Sequence, residues 1–370
     1  MIYFDNAATG GQKPDGVISA VLSAIKLCAN PGRSGHKLSI ACAEKVFQTR
    51  SFLSDLFDGY GAQNVVFTKN CTEALNLAFS GAFKQGDHVV TTAMEHNSVL
   101  RPLQQYKDAG VIDYAVCPLT NGNVNPDEFL SLITPKTKMA VITTASNVTG
   151  AIPPIAEIAK RLPENVLLVC DGAQGGGHIP IEMQKNRIDA LTLAGHKGMM
   201  GIQGSGALLF SDRLAPQPVL FGGTGTTSFS LAMPDFYPEA LEAGTISFPA
   251  VVSLYEGAKY IFYHAKKHAE KVYSLTEFLI NGIKKLTGYQ VYSKPNPCGI
   301  VAFQKETIQS ELVAEELSTR FGIAVRGGLH CAPLMHQALQ TQDGGLVRAS
   351  LSAFNTQKEA EELLFALSSL

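Results

Sequence analysis

The feature that most constrains this chain is a regular alternation of short apolar segments with longer segments of helical length between residues 64 and 210. The apolar segments are rich in β-branched residues and fall at 64–68, 88–92, 113–117, 138–144, 166–170, 189–193 and 205–210. Near-continuous apolar strands separated by helices are typical of a mainly parallel sheet that is covered on both faces. The sequence therefore predicts an α/β domain built on a seven-stranded sheet.

The rest of the chain predicts a second, smaller unit. Helices are expected at 41–56, 72–83, 98–108 and 155–161, and a stretch rich in Gly, Thr, Ser and Pro at 221–248 reads as a long loop. A long helix at 251–286 is followed by alternating strands and helices at 299–303, 310–320, 323–326, 346–351 and 357–367. We expect a large α/β domain of residues 15–248 and a small α+β domain formed by 1–14 with 249–370.

Length and charge narrow the class of partner. The 370 residues suit two domains, and a formal net charge of -2 gives no electrostatic footprint for nucleic acid or an anionic membrane. The longest apolar runs, 139–142 and 166–170, are far below the ~20 residues that cross a bilayer, and the N-terminus does not resemble a secretion signal. We expect a cytoplasmic protein that acts on a small molecule or another protein.

The cysteines exclude two common structural roles. They are scattered and odd in number, no two are spaced as C-x-x-C, and they fall at 28, 42, 71, 117, 170, 298 and 331. This pattern fits neither a disulfide framework nor a zinc finger. Each cysteine is therefore either buried filler or reactive.

Polar residues directly follow five of the predicted strands. They are Thr72 at the start of a helix, His96, Asn147, Asp171, and Lys197 on a glycine-flanked turn. In open parallel sheets, ligands bind beyond the carboxyl ends of the strands, so these side chains are expected to meet at one edge of the sheet.

Their combined chemistry suits pyridoxal 5'-phosphate. A free helix N-terminus near Thr72 binds phosphate, Lys197 can form a Schiff base, and a buried Asp171 can hold a pyridine nitrogen protonated. His96 could stack on the ring, and Asn147 could bond the ring oxygen. Taken singly, Asp171 could be a helix cap, Lys197 a solvated lysine and His96 a structural histidine, but five independent accidents are improbable.

Four of these segments resemble one family. The runs at 94–98, 146–150, 170–174 and 194–198 are similar to motifs of the class V aminotransferase family of pyridoxal-phosphate enzymes, and within it to cysteine desulfurases. The resemblance extends from residues 3–8 to 354–356, which is nearly the whole chain. It implies fold type I of the pyridoxal-phosphate enzymes and a homodimer.

The resemblance also implies roles at the cofactor ring. Lys197 would be the Schiff-base lysine, Asp171 the partner of the pyridine nitrogen and His96 the stacking imidazole. Gln174 and Asn147 would contact the ring oxygen.

Further roles are implied at the cofactor phosphate, which would be held by Cys71, Thr72 and His196. Ala194 stands where a hydroxyl residue usually binds this phosphate, so that contact is expected from Thr224 or Thr226. In the family, the region around Thr224 approaches the phosphate of the neighbouring subunit, so the two sites of a dimer would be shared.

A second constellation lies in the predicted small domain. Glycines on both sides of a strand end can bring Cys331 close to a ligand, and His330 and Arg326 beside it would favour the thiolate. The segment resembles the active-site loop of the desulfurase branch that includes selenocysteine-lyase-like enzymes. Cys331 is therefore the candidate nucleophile, whereas a lone cysteine is ordinarily buried filler, as we expect for the remaining cysteines other than Cys71.

Two further residues complete the sequence hypothesis for substrate and metal binding. Arg348 lies on the predicted strand at 346–351, where its guanidinium could clamp an amino-acid carboxylate, as the resemblance also implies. His264 and His268 are spaced i,i+4 on a predicted helix, but without an accompanying carboxylate pattern we expect a solvated helix face and no metal site.

The leading hypothesis is a pyridoxal-phosphate-dependent cysteine desulfurase. L-cysteine would displace Lys197 from the cofactor, Lys197 would remove the α-proton, and Cys331 would attack the substrate sulfur. The products would be L-alanine and a persulfide on Cys331, whose sulfur then passes to a protein or thiol acceptor. The alternatives are a selenocysteine lyase acting on L-selenocysteine, another β-elimination or transamination on the same cofactor, and a non-catalytic sulfur-relay scaffold.

Overall fold

A computed structural model describes residues 1–27 and 29–370. The strands are β1 (Ile2–Tyr3), β2 (Val65–Thr68), β3 (Asp87–Thr92), β4 (Ile112–Cys117), β5 (Leu119–Thr120), β6 (Asn123–Val124), β7 (Thr137–Thr143), β8 (Leu167–Asp171), β9 (Ala190–Ala194), β10 (Gly206–Phe210), β11 (Tyr289–Val291), β12 (Ile300–Lys305), β13 (Ile323–Ala324) and β14 (Val347–Ser350). The α-helices are α1 (Asp15–Lys26), α2 (Lys37–Leu56), α3 (Cys71–Phe79), α4 (Asn97–Asp108), α5 (Pro126–Ser131), α6 (Ile155–Arg161), α7 (Phe248–Ile283), α8 (Ser310–Phe321), α9 (Pro333–Leu339) and α10 (Gln357–Ser368).

The predicted runs form one seven-stranded sheet with the order β2-β10-β9-β8-β7-β3-β4. Strand β10 pairs antiparallel with both β2 and β9, and the remaining neighbours are parallel. All strands except β10 therefore end at the same edge, which we call the carboxyl edge of the sheet. The predicted α/β architecture with a mainly parallel seven-stranded sheet is confirmed.

Apolar side chains cover both faces of this sheet. Alternate residues of the central strands point to opposite sides: Ile142 and Cys170 lie in one buried cluster, Val141 and Val169 in another. This two-sided burial is the reason that the strands read as near-continuous apolar runs in the sequence.

The C-terminal part forms a second layered unit. Strands β11, β12 and β14 make an antiparallel sheet, whose core includes Phe303, Leu317 and Leu363 together with Phe4 from the N-terminus. Helix α7 begins at the predicted domain boundary and serves both cores, since Leu254 packs with the large sheet and Leu279 with the small one. The division into residues 15–248 and 1–14 with 249–370 stays a prediction.

Several element boundaries differ from the sequence prediction. Helix α3 stops at Phe79 instead of residue 83, because Ser80 is extended and Gly81 has a φ of 71°. The strand expected at 323–326 is shortened to β13, and Arg326 instead forms an isolated bridge with Arg348. The prediction missed α1, α5, α9 and the short strands β1, β5, β6 and β11; all of these except the 12-residue α1 are too short to give much periodicity. Within the described residues, no helix is long and apolar enough to cross a membrane.

Helix α7 approaches the turn after β9 closely. A Cβ atom at Gly257 would lie 2.2 Å from the carbonyl oxygen of Met199, which is too close for any real contact. Glycine at this position therefore lets the helix pack against the turn that carries Lys197.

Replacing Gly257 with alanine should destabilise the fold by about 1–3 kcal/mol, because helix and turn must separate. Chemical denaturation of the variant and the wild type measures this difference. Gly16→Ala is the matched control, since Gly16 lies in α1 with nothing within 4 Å of its would-be Cβ and should gain up to about 1 kcal/mol. Equal stability of Gly257→Ala and the wild type would contradict the close packing.

A buried carboxyl group ties the ends of β3 and β7 together. Oε1 of Glu95 accepts hydrogen bonds from the Thr92 hydroxyl at 2.7 Å and from the Thr143 backbone N–H at 2.9 Å, whereas Oε2 has no partner among the described residues. Burial raises the pKa of Glu95 from 4.5 to about 8 despite these two bonds. The folded protein therefore keeps this group protonated at neutral pH.

Because the folded state binds this proton more tightly than the unfolded state, the free energy of unfolding should fall as pH rises from about 4.5 to about 8. Glu95→Gln removes the titrating group and should flatten this part of the profile. The test is to measure the denaturation midpoints of both proteins from about pH 5 to about pH 9, a range that covers the titration. Parallel profiles would show that Glu95 does not titrate abnormally.

Candidate active site

A buried carboxylate lies at the carboxyl edge of the sheet. Asp171 is the last residue of β8, and its side chain is almost fully buried. Its Oδ1 accepts hydrogen bonds from the Ala173 backbone N–H at 2.9 Å and from the Cys71 thiol at 3.2 Å. Among the described residues Oδ2 has no hydrogen-bond partner. One oxygen is thus fixed, and the other remains available to a ligand.

Lys197 lies on the tight turn that follows β9. The turn is closed by the Gly201 N–H, which donates to the Gly195 carbonyl at 2.7 Å, and Gly198 packs so closely that its Cβ would lie 2.3 Å from the Gly176 carbonyl oxygen. Burial lowers the pKa of Lys197, and the negative charge of Asp171 offsets part of this effect. The amine therefore gives up its proton more readily than a solvated lysine does.

His96 caps helix α4 and is electrically neutral at pH 7. Its Nδ1 accepts from the Ser98 backbone N–H at 3.0 Å, so the ring proton is assigned to Nε2. Burial lowers the pKa of His96 to about 4, with the charge of Asp171 opposing the shift. A flat, uncharged imidazole is suited to stacking on an aromatic ring.

The start of α3 offers free donors beside His96. The Asn70 side chain caps the helix by accepting from the Glu73 N–H at 2.9 Å, and the backbone N–H groups of Cys71 and Thr72 have no partner among residues 1–27 and 29–370. The Thr72 hydroxyl is exposed and lies 2.8 Å from Ser98 Oγ. This arrangement suits an anion. The Cys71 side chain, however, points to Asp171, so only its backbone remains for the predicted phosphate contact.

Two predicted cofactor residues bind the N-terminal segment instead. His196 Nδ1 lies 3.1 Å from the Thr9 hydroxyl, and the His196 carbonyl accepts from Lys13 Nζ at 3.0 Å. Gln174 Nε2 donates to the Ala7 carbonyl at 2.9 Å. Burial lowers the pKa of His196 to about 4. Residues 7–13 thereby brace both side chains at the carboxyl edge.

A strained loop brings Cys331 to the same edge. His330 and Cys331 both adopt left-handed backbone conformations, with φ of 53° and 56°, which is costly for residues other than glycine. The loop is held there because Asn147 Nδ2 donates to the His330 carbonyl at 2.7 Å and the Asn97 N–H donates to the Cys331 carbonyl at 2.8 Å. The Cys331 side chain is exposed next to the start of α4.

The expected electrostatic role of His330 is wrong. Its ring is buried against His336, with centroids 5.8 Å apart, and neither ring nitrogen has a partner among the described residues. Burial, assisted by the charge of Arg348, lowers the pKa of His330 to about 2. A neutral His330 cannot favour a thiolate by charge, so the cations near the loop are Arg326 and Arg348, whose charges both act on His330.

Arg348 lies at the site, but both terminal nitrogens of its guanidinium group are already hydrogen-bonded within the chain. The buried guanidinium donates from Nη2 to Asp5 Oδ1 and from Nη1 to the Asn147 carbonyl, both at 3.0 Å. Its Nε is buried and has no partner in the described part of the chain. Arg326 and Arg348 are also joined by two backbone hydrogen bonds, so two cationic residues lie side by side.

Other predicted residues lie apart from this cluster. Thr224 lies in the exposed loop at 221–231, where its hydroxyl is 3.2 Å from the Thr226 hydroxyl. Within the described residues it has no hydrogen bond to α3. His264 and His268 are half-buried and not the solvated helix face that was expected, since the His264 ring stacks on Tyr260 and the His268 ring lies tilted against it. The described residues form no cluster that could hold a metal ion.

The cysteines separate into two groups. Cys331 is exposed, whereas the expected burial of the structural thiols is confirmed for Cys42, Cys117, Cys170 and Cys298. Cys28 lies outside the described residues.

Sequence reasoning missed several contacts of the site. Asp5 belongs to the N-terminal run that carried the resemblance, but its ion pair with Arg348 spans 343 positions of sequence. Ser98 was detectable, because it follows the capping His96 by two residues. Lys13 offered no local pattern that would distinguish it from a surface lysine.

Comparisons with known proteins agree with this geometry. Residues 2–363 match the family model described as aminotransferase class-V. A probable cysteine desulfurase of Pyrococcus abyssi is 32% identical, with 100% of this chain and 94% of that protein covered. A probable cysteine desulfurase of Methanothermobacter thermautotrophicus is 30% identical, with 98% and 92% covered.

Solved structures give the same result. The apo cysteine desulfurase of Thermococcus onnurineus NA1 superposes with a TM-score of 0.90 at 30% identity, covering 100% of this chain and 94% of the other. The Escherichia coli cysteine desulfurase CsdA gives a TM-score of 0.88 at 25% identity, covering 99% and 94%. The expected fold type I is thereby confirmed, and the chain belongs to the aminotransferase class-V family.

Proposed function

We propose that this chain is a pyridoxal-phosphate-dependent cysteine desulfurase, which converts L-cysteine to L-alanine and keeps the sulfur on Cys331 as a persulfide. The observation that carries the proposal is the exposed Cys331, held on a strained loop at the edge where Lys197 and Asp171 lie. The relatives and the solved structures named above carry the same activity in their names.

The residues present fit pyridoxal phosphate. Within the described residues, Asp171 has one carboxylate oxygen without a hydrogen bond and the start of α3 has unpaired N–H groups, while Lys197 is an amine with a lowered pKa. These are the three groups that a phosphorylated pyridine aldehyde needs. When bound, the cofactor supplies an electron sink for negative charge at the substrate α-carbon.

The chain's own residues divide the binding of the cofactor. Asp171 would hold the pyridine nitrogen, the neutral ring of His96 would stack on the cofactor ring, and Thr72 with the backbone of Cys71 would hold the phosphate. The ring oxygen would be contacted by Gln174 and Asn147, and the phosphate also by His196. The N-terminal segment holds Gln174 and His196 in place, and Asn147 is bonded to the cysteine loop.

Lys197 and Arg348 act on the substrate. The lowered pKa of Lys197 prepares its amine to accept the α-proton of cysteine, since the base form is more readily available. Arg348, with Arg326 beside it, would bind the substrate carboxylate in exchange for part of its contact with Asp5.

Sulfur transfer falls to Cys331. Its thiolate attacks the substrate sulfur, an S–S bond forms, and the carbon–sulfur bond breaks with its electron pair left on carbon, which takes up a proton and leaves as alanine. An exposed side chain can then hand the terminal sulfur to a protein or thiol acceptor.

A second copy of the chain would complete the assembly. The loop at 221–231 exposes Phe221, Phe229 and Leu231 to solvent, and apolar side chains exposed together mark an interaction surface. In the proposed homodimer this loop would carry Thr224 toward the neighbouring site.

Replacing Cys331 with alanine should abolish sulfide release from L-cysteine in the presence of a thiol reductant, because no other exposed thiol of the described residues can receive the sulfur. The visible absorbance of the bound cofactor should persist, since Cys331 does not hold the cofactor. Cys42→Ala, which removes a buried thiol of α2, should keep wild-type activity. Undiminished sulfide release by Cys331→Ala would refute the role of Cys331.

Arg348→Lys should raise the KM for L-cysteine by about tenfold or more, because one ammonium cannot replace a bidentate fork. The effect on kcat should be smaller, as expected for a residue that binds substrate and transition state alike. The control is Arg320→Lys, which makes the same replacement of a guanidinium by an ammonium in an exposed ion pair with Glu316. A variant with an unchanged KM would mean that another group binds the carboxylate.

A further inference from the structure

The Cys71 thiol occupies an unexpected position beneath the candidate site. Cys71 is the first residue of α3 and is buried, with its sulfur 3.2 Å from Asp171 Oδ1 and 3.1 Å from Thr192 Oγ1. The three residues come from three different elements, α3, β8 and β9, which meet at the carboxyl edge of the sheet.

The direction of the hydrogen bonds follows from donor and acceptor strength. A thiol has one proton, and the carboxylate of Asp171 is a stronger acceptor than the hydroxyl of Thr192. The S–H group therefore donates to Asp171, and the Thr192 hydroxyl can donate to the sulfur. The result is a chain of donors that ends on Asp171 Oδ1.

The Cys71 thiol remains a hydrogen-bond donor at neutral pH. Burial, together with the negative charge of Asp171, raises the pKa of the Cys71 thiol well above its ordinary value. The thiol therefore stays protonated at neutral pH. Cys331, in contrast, is exposed on a loop, so the two cysteines of the site have different surroundings and different chemistry.

The consequence for Asp171 is asymmetry between its two oxygens. Oδ1 receives both the Ala173 N–H and the Cys71 S–H, and no hydrogen bond from the described residues reaches Oδ2. Two donors on one oxygen fix the orientation of the carboxylate.

We propose that Cys71 is a positioning residue, whose thiol holds Oδ1 of Asp171 and so fixes the orientation that leaves Oδ2 to bind the pyridine nitrogen. The inference rests on the proposed function, because it concerns how this chain holds that nitrogen protonated. It gives the Cys71 side chain a task distinct from sulfur transfer and from phosphate binding.

The matched pair Cys71→Ser and Cys71→Ala isolates the donor. Both variants remove the sulfur and leave a smaller side chain, but serine keeps an O–H group that can donate to Asp171 whereas alanine has none. Cys42→Ala serves as the control for the loss of a buried thiol elsewhere. All proteins are purified with bound pyridoxal phosphate.

The first measurement is the pH titration of the visible absorbance band of the bound cofactor. Without the thiol donor, the Asp171 carboxylate is held less firmly toward the pyridine nitrogen, so the ring would lose positive charge and the nitrogen that joins Lys197 to the cofactor would become easier to protonate. The midpoint for Cys71→Ala should therefore move to higher pH. The stronger donor in Cys71→Ser should move it to lower pH or leave it at the wild-type value.

The second measurement is steady-state turnover of L-cysteine. Cys71→Ala should lose about tenfold in kcat with little change in KM, the size expected when one hydrogen bond to a charged group is lost. Cys71→Ser should stay within about twofold of the wild type, since it retains a donor. A general structural role would lower both variants alike and would leave the titration midpoint in place.

The outcomes separate this inference from the proposed function. If the wild type gives no cofactor band and borohydride fixes nothing to Lys197, the proposed function fails and the inference falls with it. If the wild type binds the cofactor but Cys71→Ala keeps its midpoint and its kcat, the inference alone is overturned. Should Cys71→Ala not fold, a midpoint for Cys71→Ser that is shifted to higher pH would overturn the inference.

Discussion

The burial of the Asp171 carboxylate is the constraint on which the rest of the site depends. A charge at the end of a central strand is costly unless hydrogen bonds and nearby cations compensate it. Here α3 supplies Cys71, the backbone of the next turn supplies Ala173, and Lys197 on the following strand end supplies positive charge. The carboxyl edge of the sheet is thus arranged around one negative group, of which only Oδ1 receives hydrogen bonds from the described residues.

The second structural element of the site is the cysteine loop, which belongs to the C-terminal part of the chain. Its two left-handed residues store strain, and their carbonyl groups accept hydrogen bonds from Asn97 at the start of α4 and from Asn147 in the turn after β7. The backbone carbonyl of Asn147 also accepts a hydrogen bond from the guanidinium of Arg348. One residue therefore links the candidate sulfur carrier, the candidate carboxylate anchor and the edge that carries Asp171, which explains how two units of the fold form a single site.

The sequence allowed prediction of the sheet and of the residues at its strand ends, because two-sided burial and strand termination leave local patterns. Asp171 directly follows one apolar run and Lys197 follows another after a short turn, and their meeting requires only that parallel strands end together. The contacts of Cys71, His196 and Gln174 could not be predicted in this way. Each partner lies at least 100 residues away, so only the folded chain decides which side-chain atoms meet. The neutrality of His330 was missed for the same reason, since it depends on burial by distant residues.

The central claim is that sulfur from L-cysteine passes to Cys331. The most direct measurement is mass spectrometry of proteolytic peptides after brief exposure of the wild-type holoenzyme to L-cysteine, with the thiols then blocked. The account predicts one added sulfur atom on the peptide that contains Cys331, and unmodified peptides for the buried Cys71 and Cys170. Formation of alanine with no sulfur on Cys331, or with the sulfur on another cysteine, would contradict it.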